Sequence, residues 1–376
     1  MIRNTKKQRI VIKIGSSSLT SRHGEISRKK LEKLADEVVY LKDIGHEVVL
    51  VSSGAVAAGY RKLGCLERPH TLPEKQAAAS IGQGLLMESY SELFLSHGYI
   101  AAQILITRSD FSDEVRYTNV RNTLNVLLER GMIPIVNEND TVTIDRLKFG
   151  DNDTLSAKVA GLVDANHLVI LSDIDGMYNA NPTSNPNATL LELVEEITPE
   201  LEAAAGGSGS YVGTGGMKSK IEAVKIAMAS GIPTFIGKAS RKNIVIDAVS
   251  GKAKGTYFKR KPTSNKLNQK KKWIAFHSGP EGDIVINQPA KEIMVKNRQS
   301  LTVSGIHQVM GKFEKGSVIR VNDCKGNEIG LGIVNYSASD LKRLLDKKSI
   351  SAITPEFVIK KEDFVCHLEA QFTVGI

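Results

Sequence analysis

Over the first 258 residues, short apolar, β-branched runs alternate with segments whose apolar positions recur every three or four residues, and no other feature restricts the fold as strongly. The runs Arg9 to Ile14, Glu47 to Val51, Ala101 to Ile106, Ile133 to Val136, His167 to Leu171 and Thr234 to Ile236 are nearly continuous in apolar character. Such runs suit strands covered on both faces. Between them, Leu31, Leu34, Ala35, Val38 and Val39 stand at i, i+3, i+4, i+7 and i+8, and similar stripes occupy 74–95, 115–130, 153–163 and 217–230. Strands alternating with helices predict an α/β fold, a largely parallel sheet sandwiched between helices, whose ligands gather beyond the carboxyl ends of the strands.

The pattern changes after residue 258. Residues 259–273, KRKPTSNKLNQKKKW, hold seven basic and no acidic side chains, which accounts for most of the net charge of +9. Residues 1–258 carry 30 Lys and Arg against 29 Asp and Glu, and residues 274–376 carry 13 against 12. A charge run of this kind reads as a solvated basic linker. Beyond it, short strand-like runs at Asp283 to Ile286, Ser317 to Val321 and Gly330 to Val334, separated by Gly, Asn and Asp turns, with one helical stretch at 338–346, predict a small mostly-β domain over 274–376. No stretch of about 18 apolar residues is present, so no membrane span is expected. Cys65, Cys324 and Cys366 are too scattered for a disulfide framework or a metal knuckle, and a cytoplasmic protein is expected.

Chemistry concentrates where strands end. Residues 213–220, Gly-Thr-Gly-Gly-Met-Lys-Ser-Lys, run into an amphipathic segment and have the makings of a phosphate cradle: backbone N–H groups at a helix start, with lysines added. The spacing fits neither a Walker A loop nor G-x-G-x-x-G, and the loop alone is equally compatible with a plain surface turn. Four other polar turns accompany it: Lys13-Ile-Gly15-Ser-Ser, Ser52-Ser53-Gly-Ala, Asn137-Glu-Asn-Asp140 and Ser172-Asp173-Ile-Asp-Gly. The segment Gly150-Asp-Asn152-Asp153-Thr lies at a helix start. On one edge of a parallel sheet these turns converge, bringing together a lysine, amides and carboxylates as a phosphoryl-transfer site requires.

The motifs KIGSSSL from Lys13, VSSGAVAAG from Val51, NEND from Asn137, GDNDTLSA from Gly150, LSDIDGMYNANP from Leu171 and GTGGMKSK from Gly213 resemble the amino acid kinase family, in the branch that acts on free glutamate. The likeness spans residues 9 to about 258. Gly305-Ile-His-Gln-Val-Met-Gly311 and the following Lys-Phe-Glu-Lys-Gly316, with Gly330-Leu-Gly332, resemble a PUA domain. The resemblance implies ATP-dependent phosphorylation of the glutamate side-chain carboxylate, with Mg²⁺ bridging the ATP phosphates and no metal held by the protein itself. It implies Lys13 and Lys220 as catalytic lysines, oriented by Asp153. Ser53, Asp140 and Asn152, with Asn137 beside them, would take glutamate. Gly15, Ser172, Asp173 and the run Thr214, Gly215, Gly216, Met217, Lys218, Ser219 and Lys220 would hold ATP. The family usually has a small polar residue where Lys218 stands, so which of Lys218 and Lys220 points inward is open. A homo-oligomer, dimer or tetramer, and feedback inhibition by proline are further implications.

Two readings compete. Within the same fold the acceptor could be aspartate, acetylglutamate, carbamate or a nucleoside monophosphate. A PUA domain also suggests RNA binding, but the near-neutral charge of 274–376 weakens that as the main function. Simpler assignments suit several residues: Arg108 in a surface or inter-subunit ion pair, Met87 and Tyr90 in the core, Arg116, Arg121 and Arg130 on a solvated helix face, and Trp273 packed in the second domain.

Overall fold

The computed structural model describes residues 6–21, 25–143, 152–180, 182, 185–205, 216–259, 268–346 and 357–366. It divides into two compact units, Met1–Pro262 and Thr263–Ile376. Most of the basic run, residues 260–267, lies outside the described residues.

The first unit is built on eight strands: β1 (Arg9–Ile14), β2 (Glu47–Ser52), β3 (Ala101–Ile106), β4 (Ile133–Glu138), β5 (His167–Ser172), β6 (Leu193–Val194), β7 (Thr234–Lys238) and β8 (Thr256–Phe258). Their order in the sheet is β3-β4-β2-β1-β5-β7-β8-β6. From β3 to β7 every neighbouring pair is parallel; β8 runs against β7, and β6 runs parallel to β8. The chain leaves β1 towards β2 on one side and later returns to its other side as β5, so β1 is the point where strand order reverses. Crevices form there, beyond the carboxyl ends.

Burial explains why the central strands were legible. In β2 and β4 every residue is buried, and in β1 and β5 all but the first. β3 departs from the expectation of two covered faces. It is the outermost strand, with Gln103 and Leu105 exposed, because an edge strand has a neighbour on one side alone. Helix Arg28–Asp43 buries Leu31, Leu34, Ala35, Val38 and Val39 in the core beneath the sheet, as its stripe predicts.

One helix crossing fixes a site loop. Gly54, at φ 105°, turns the chain from β2 into the short helix Ala55–Gly59, a backbone conformation that side chains beyond glycine resist. That helix crosses the long helix Leu72–Ser96 with backbone against backbone. A Cβ on Gly59 would lie 1.9 Å from the Ala78 carbonyl oxygen, and one on Gly82 would lie 1.8 Å from that of Ala55. Tyr90 and Met87 pack in the core, where the Tyr90 phenol meets Ser52 Oγ at 3.0 Å. Arg121, expected on a solvated face, is half-buried. Its Nε donates to the Leu162 carbonyl and its guanidinium pairs with Asp164, because the last carbonyls of a neighbouring helix need donors.

The second unit is a five-stranded sheet of β9 (Gly282–Ile286), β10 (Ile306–Gly311), β11 (Val318–Asp323), β12 (Glu328–Ile333) and β13 (Phe364–Cys366), in the order β10-β9-β11-β12-β13. Only the β9 and β11 pair is parallel. Helices Gln288–Val295 and Ala338–Asp346 accompany it, and Ile284, Ile319, Val321 and Leu341 form its core. Trp273 is buried. No helix among the described residues is long and apolar enough to cross a membrane.

Candidate active site

At the carboxyl edge of the first sheet, three charged side chains from distant parts of the chain meet. Lys13 comes from β1, Asp153 from the first turn of helix Asn152–Leu162, and Lys220 from the first turn of helix Met217–Ala229. Lys13 Nζ lies 2.6 Å from Asp153 Oδ1, and Lys220 Nζ lies 3.0 Å from Asp153 Oδ2. Exposures of 6%, 0% and 5% for Lys13, Asp153 and Lys220 put the trio out of bulk water, where a lone charge would be costly. Burial by itself would push the Asp153 carboxyl up; the two ammonium groups overcome this and hold it below the usual carboxylate range. Ser219 Oγ donates to the Gly216 carbonyl at 2.8 Å and reaches Asp153 Oδ2 at 3.4 Å. Lys220 is the lysine that turns inward; Lys218 is exposed.

Directly beside this clamp the chemistry turns neutral. Asn152 precedes Asp153, and its Nδ2 reaches the Ser52 carbonyl oxygen at 2.7 Å, Asn137 Oδ1 at 2.8 Å and Ser53 Oγ at 3.0 Å. Ser53, just past β2, is tied to β1 by its N–H on the Ile14 carbonyl at 3.1 Å. Asn137 is a buried residue of β4, and Asp140, half-buried, follows that strand. On the far side of β1, Ser172 ends β5 and its Oγ donates to the exposed Asp173 at 3.0 Å. Gly15 adjoins the clamp, since a Cβ there would stand 3.6 Å from Lys13 Nζ. Gly216 caps its helix and Met217 is half-buried. Thr214 and Gly215, together with Gly150 and Asp151, lie outside the described residues.

The sequence as a whole has known counterparts. Residues 8–238 match the amino acid kinase family and residues 282–354 the PUA domain. The chain belongs to the amino acid kinase family. Within that family it is 63% identical to glutamate 5-kinase 2 of Bacillus licheniformis, over 97% of this chain and 98% of the relative. It is 61% identical to glutamate 5-kinase 2 of Bacillus subtilis over the full length of both. Among solved structures, carbamate kinase from Giardia lamblia bound to AMP-PNP resembles it with a TM-score of 0.51 at 16% identity, covering 68% of this chain and 99% of that one. That last likeness bears on the fold.

The sequence of this amino acid kinase marks Ser52 only as part of a polar turn, and it does not mark Gln83 at all. Ser52 contributes its backbone carbonyl, which no side-chain motif advertises. Gln83 lies in a helical stripe, and its bond to Asn137 Nδ2 at 2.9 Å spans 54 positions in sequence.

Proposed function

We propose that the protein transfers the terminal phosphoryl group of ATP to the side-chain carboxylate of L-glutamate, giving γ-glutamyl phosphate and ADP. The observation that carries this reading is that a buried two-lysine clamp and a neutral, amide-lined cluster abut at one strand edge, joined through the consecutive Asn152 and Asp153. The 61–63% identity to glutamate 5-kinases over nearly the whole chain supports glutamate as the acceptor.

The chemistry follows from charge. A glutamate side chain ionises at a pKa of about 4.3, so the attacking oxygen needs no general base at neutral pH. Catalysis is then positioning, with charge stabilised as it develops on the transferring group. Lys13 and Lys220 take that charge, and Asp153 holds their ammonium groups in place without cancelling both. Gly15, Ser172, Asp173, Lys218 and the loop Thr214 to Lys220 hold the nucleotide. Ser53, Asp140 and Asn152 receive glutamate, with Asp140 as the charged partner for its ammonium group.

Mg²⁺ fits this donor set as an ion that arrives on the phosphates. Both Asp153 oxygens already face lysines. When bound it supplies further neutralisation of the phosphate oxygens.

Trapping the acyl phosphate with hydroxylamine, in the presence of ATP, Mg²⁺ and a panel of carboxylates, tests the reading. Hydroxamate with glutamate is expected. A stronger signal with aspartate or acetylglutamate moves the protein to another acceptor, and folded protein silent with all of them overturns the proposal. Proline presents a similar ammonium and carboxylate pair, so it should raise the apparent KM for glutamate and leave that for ATP unchanged. The protein is read as cytoplasmic and homo-oligomeric. Exposed Leu95, Ile100 and Leu105 near the open β3 edge support self-association, which light scattering would detect.

A further inference from the structure

The amide cluster does not end at the acceptor side of the site. The Ser52 carbonyl can only accept, so its 2.7 Å contact turns Asn152 Nδ2 inward. The same Nδ2 meets Asn137 Oδ1, and that oxygen accepts a second bond, from the Glu138 N–H at 2.9 Å. Asn137 is 2% exposed, so its Nδ2 must be satisfied within the protein. It donates to Gln83 Oε1 at 2.9 Å. Gln83, on the Leu72–Ser96 helix, in turn donates from Nε2 to Gln103 Oε1 at 2.9 Å on the outermost strand, β3. The backbone groups of Ser52 and Glu138 thus set the polarity of the whole row. Turning Asn152, Asn137 or Gln83 over would face donor to donor or acceptor to acceptor.

We propose that Gln83, backed by Gln103, is a positioning residue that selects for the free α-amine of the acceptor. The inference rests on the function proposed above. With both Nδ2 hydrogens shared among three acceptors, Asn152 keeps its Oδ1 for a ligand, and among the described residues that oxygen has no partner. An amide oxygen accepts from an ammonium group and repels a carboxylate, so a locked Asn152 favours an amino acid over the same diacid without its amine. Gln83 supplies the acceptor that Asn137 Nδ2 requires; without it the buried row loses its reason to stay in one orientation.

The test compares glutamate with glutarate, its amine-free counterpart. Gln83→Met keeps the side-chain volume and removes the acceptor. It should raise the KM for glutamate by about tenfold, the effect of orphaning one buried amide donor, and shrink the preference for glutamate over glutarate. The KM for ATP and kcat should stay near wild type. Gln83→Glu still accepts from Asn137 and should recover most of the glutamate affinity. Gln103→Ala, at the exposed end, should raise the KM for glutamate about twofold. A Gln83→Met protein with unchanged glutamate KM and unchanged glutarate discrimination overturns the inference, as does one whose glutamate and ATP KM values rise together. If that variant does not fold, an unchanged glutamate KM in Gln103→Ala overturns it. Wild-type protein that forms no hydroxamate sinks the proposed function itself, whereas active wild type with a silent Gln83→Met sinks the amide row alone.

Discussion

The two halves of the candidate site are built from different chemistry. In the clamp, Lys13, Asp153 and Lys220 are full charges held at 2.6 and 3.0 Å and almost dry. In the amide cluster, Ser53, Asn137 and Asn152 are neutral and joined by bonds of 2.8 and 3.0 Å. The clamp formally sets two positive charges against one negative, an arrangement that gains most when an anion arrives and its charge shifts during transfer. The amide row itself carries no net charge. Its worth is directional, because a buried donor or acceptor left unmatched costs more than a matched one contributes. Rate should therefore depend on the first half and acceptor choice on the second.

The sharpest way to break this division is at the lysines. Lys13→Ala and Lys220→Ala should each lower kcat by about 10²–10³-fold, the loss expected for a preorganised group facing developing charge, with little change in glutamate KM. Steady-state kinetics showing the reverse split would dissolve the distinction. Asp153→Asn should come next. It leaves two buried ammonium groups facing each other, with a stability loss of about 3 kcal/mol in urea titration as well as reduced turnover. Because the Asp153 carboxyl is held below its ordinary value, its contribution is present at neutral pH and disappears as pH falls through that lowered value. Wild type should thus lose stability on acidification more steeply than the Asn variant does. Asn152→Ala should act on the other half, raising glutamate KM about tenfold while sparing ATP KM. The smallest effect is expected at exposed Lys218, where replacement by Ala should raise ATP KM by about two- to threefold.

Legibility varied in the same way along the chain. Arg9–Ile14 and Ala101–Ile106 agree with the sequence reading to the residue, since a six-residue apolar run has few other uses. Leu193–Val194 and Thr256–Phe258 went unread because two- and three-residue strands at a sheet margin leave too short a pattern. Ile306–Gly311 was missed as a strand because its burial is irregular, with exposed pairs at His307 and Gln308 and at Met310 and Gly311. The bond from half-buried Arg121 to the end of another helix went unread because nothing local announces it. In the candidate site, polar turns at strand ends marked Lys13, Ser53, Asn137 and Asn152, but the carbonyl of Ser52 and the amide of Gln83 carry no such mark.

The type and order of the long, strongly patterned elements were therefore determined by the sequence alone: periodicity is a local property, expressed between residues two to four apart, and it needs no knowledge of the rest of the chain. Strand ends bearing polar turns follow from the same pattern. Tertiary structure decided which groups meet. Lys13 and Lys220 reach opposite oxygens of one carboxylate because β1 and two helix starts converge at the point where strand order reverses. Whether Lys218 or Lys220 faces inward depends on how the Met217–Ala229 helix is rotated, and the polarity of the amides depends on two backbone groups brought together from β2 and β4. A side chain's direction is set by the packing of whole elements, through contacts such as the Gly59 and Gly82 crossing, and no spacing along the chain contains it.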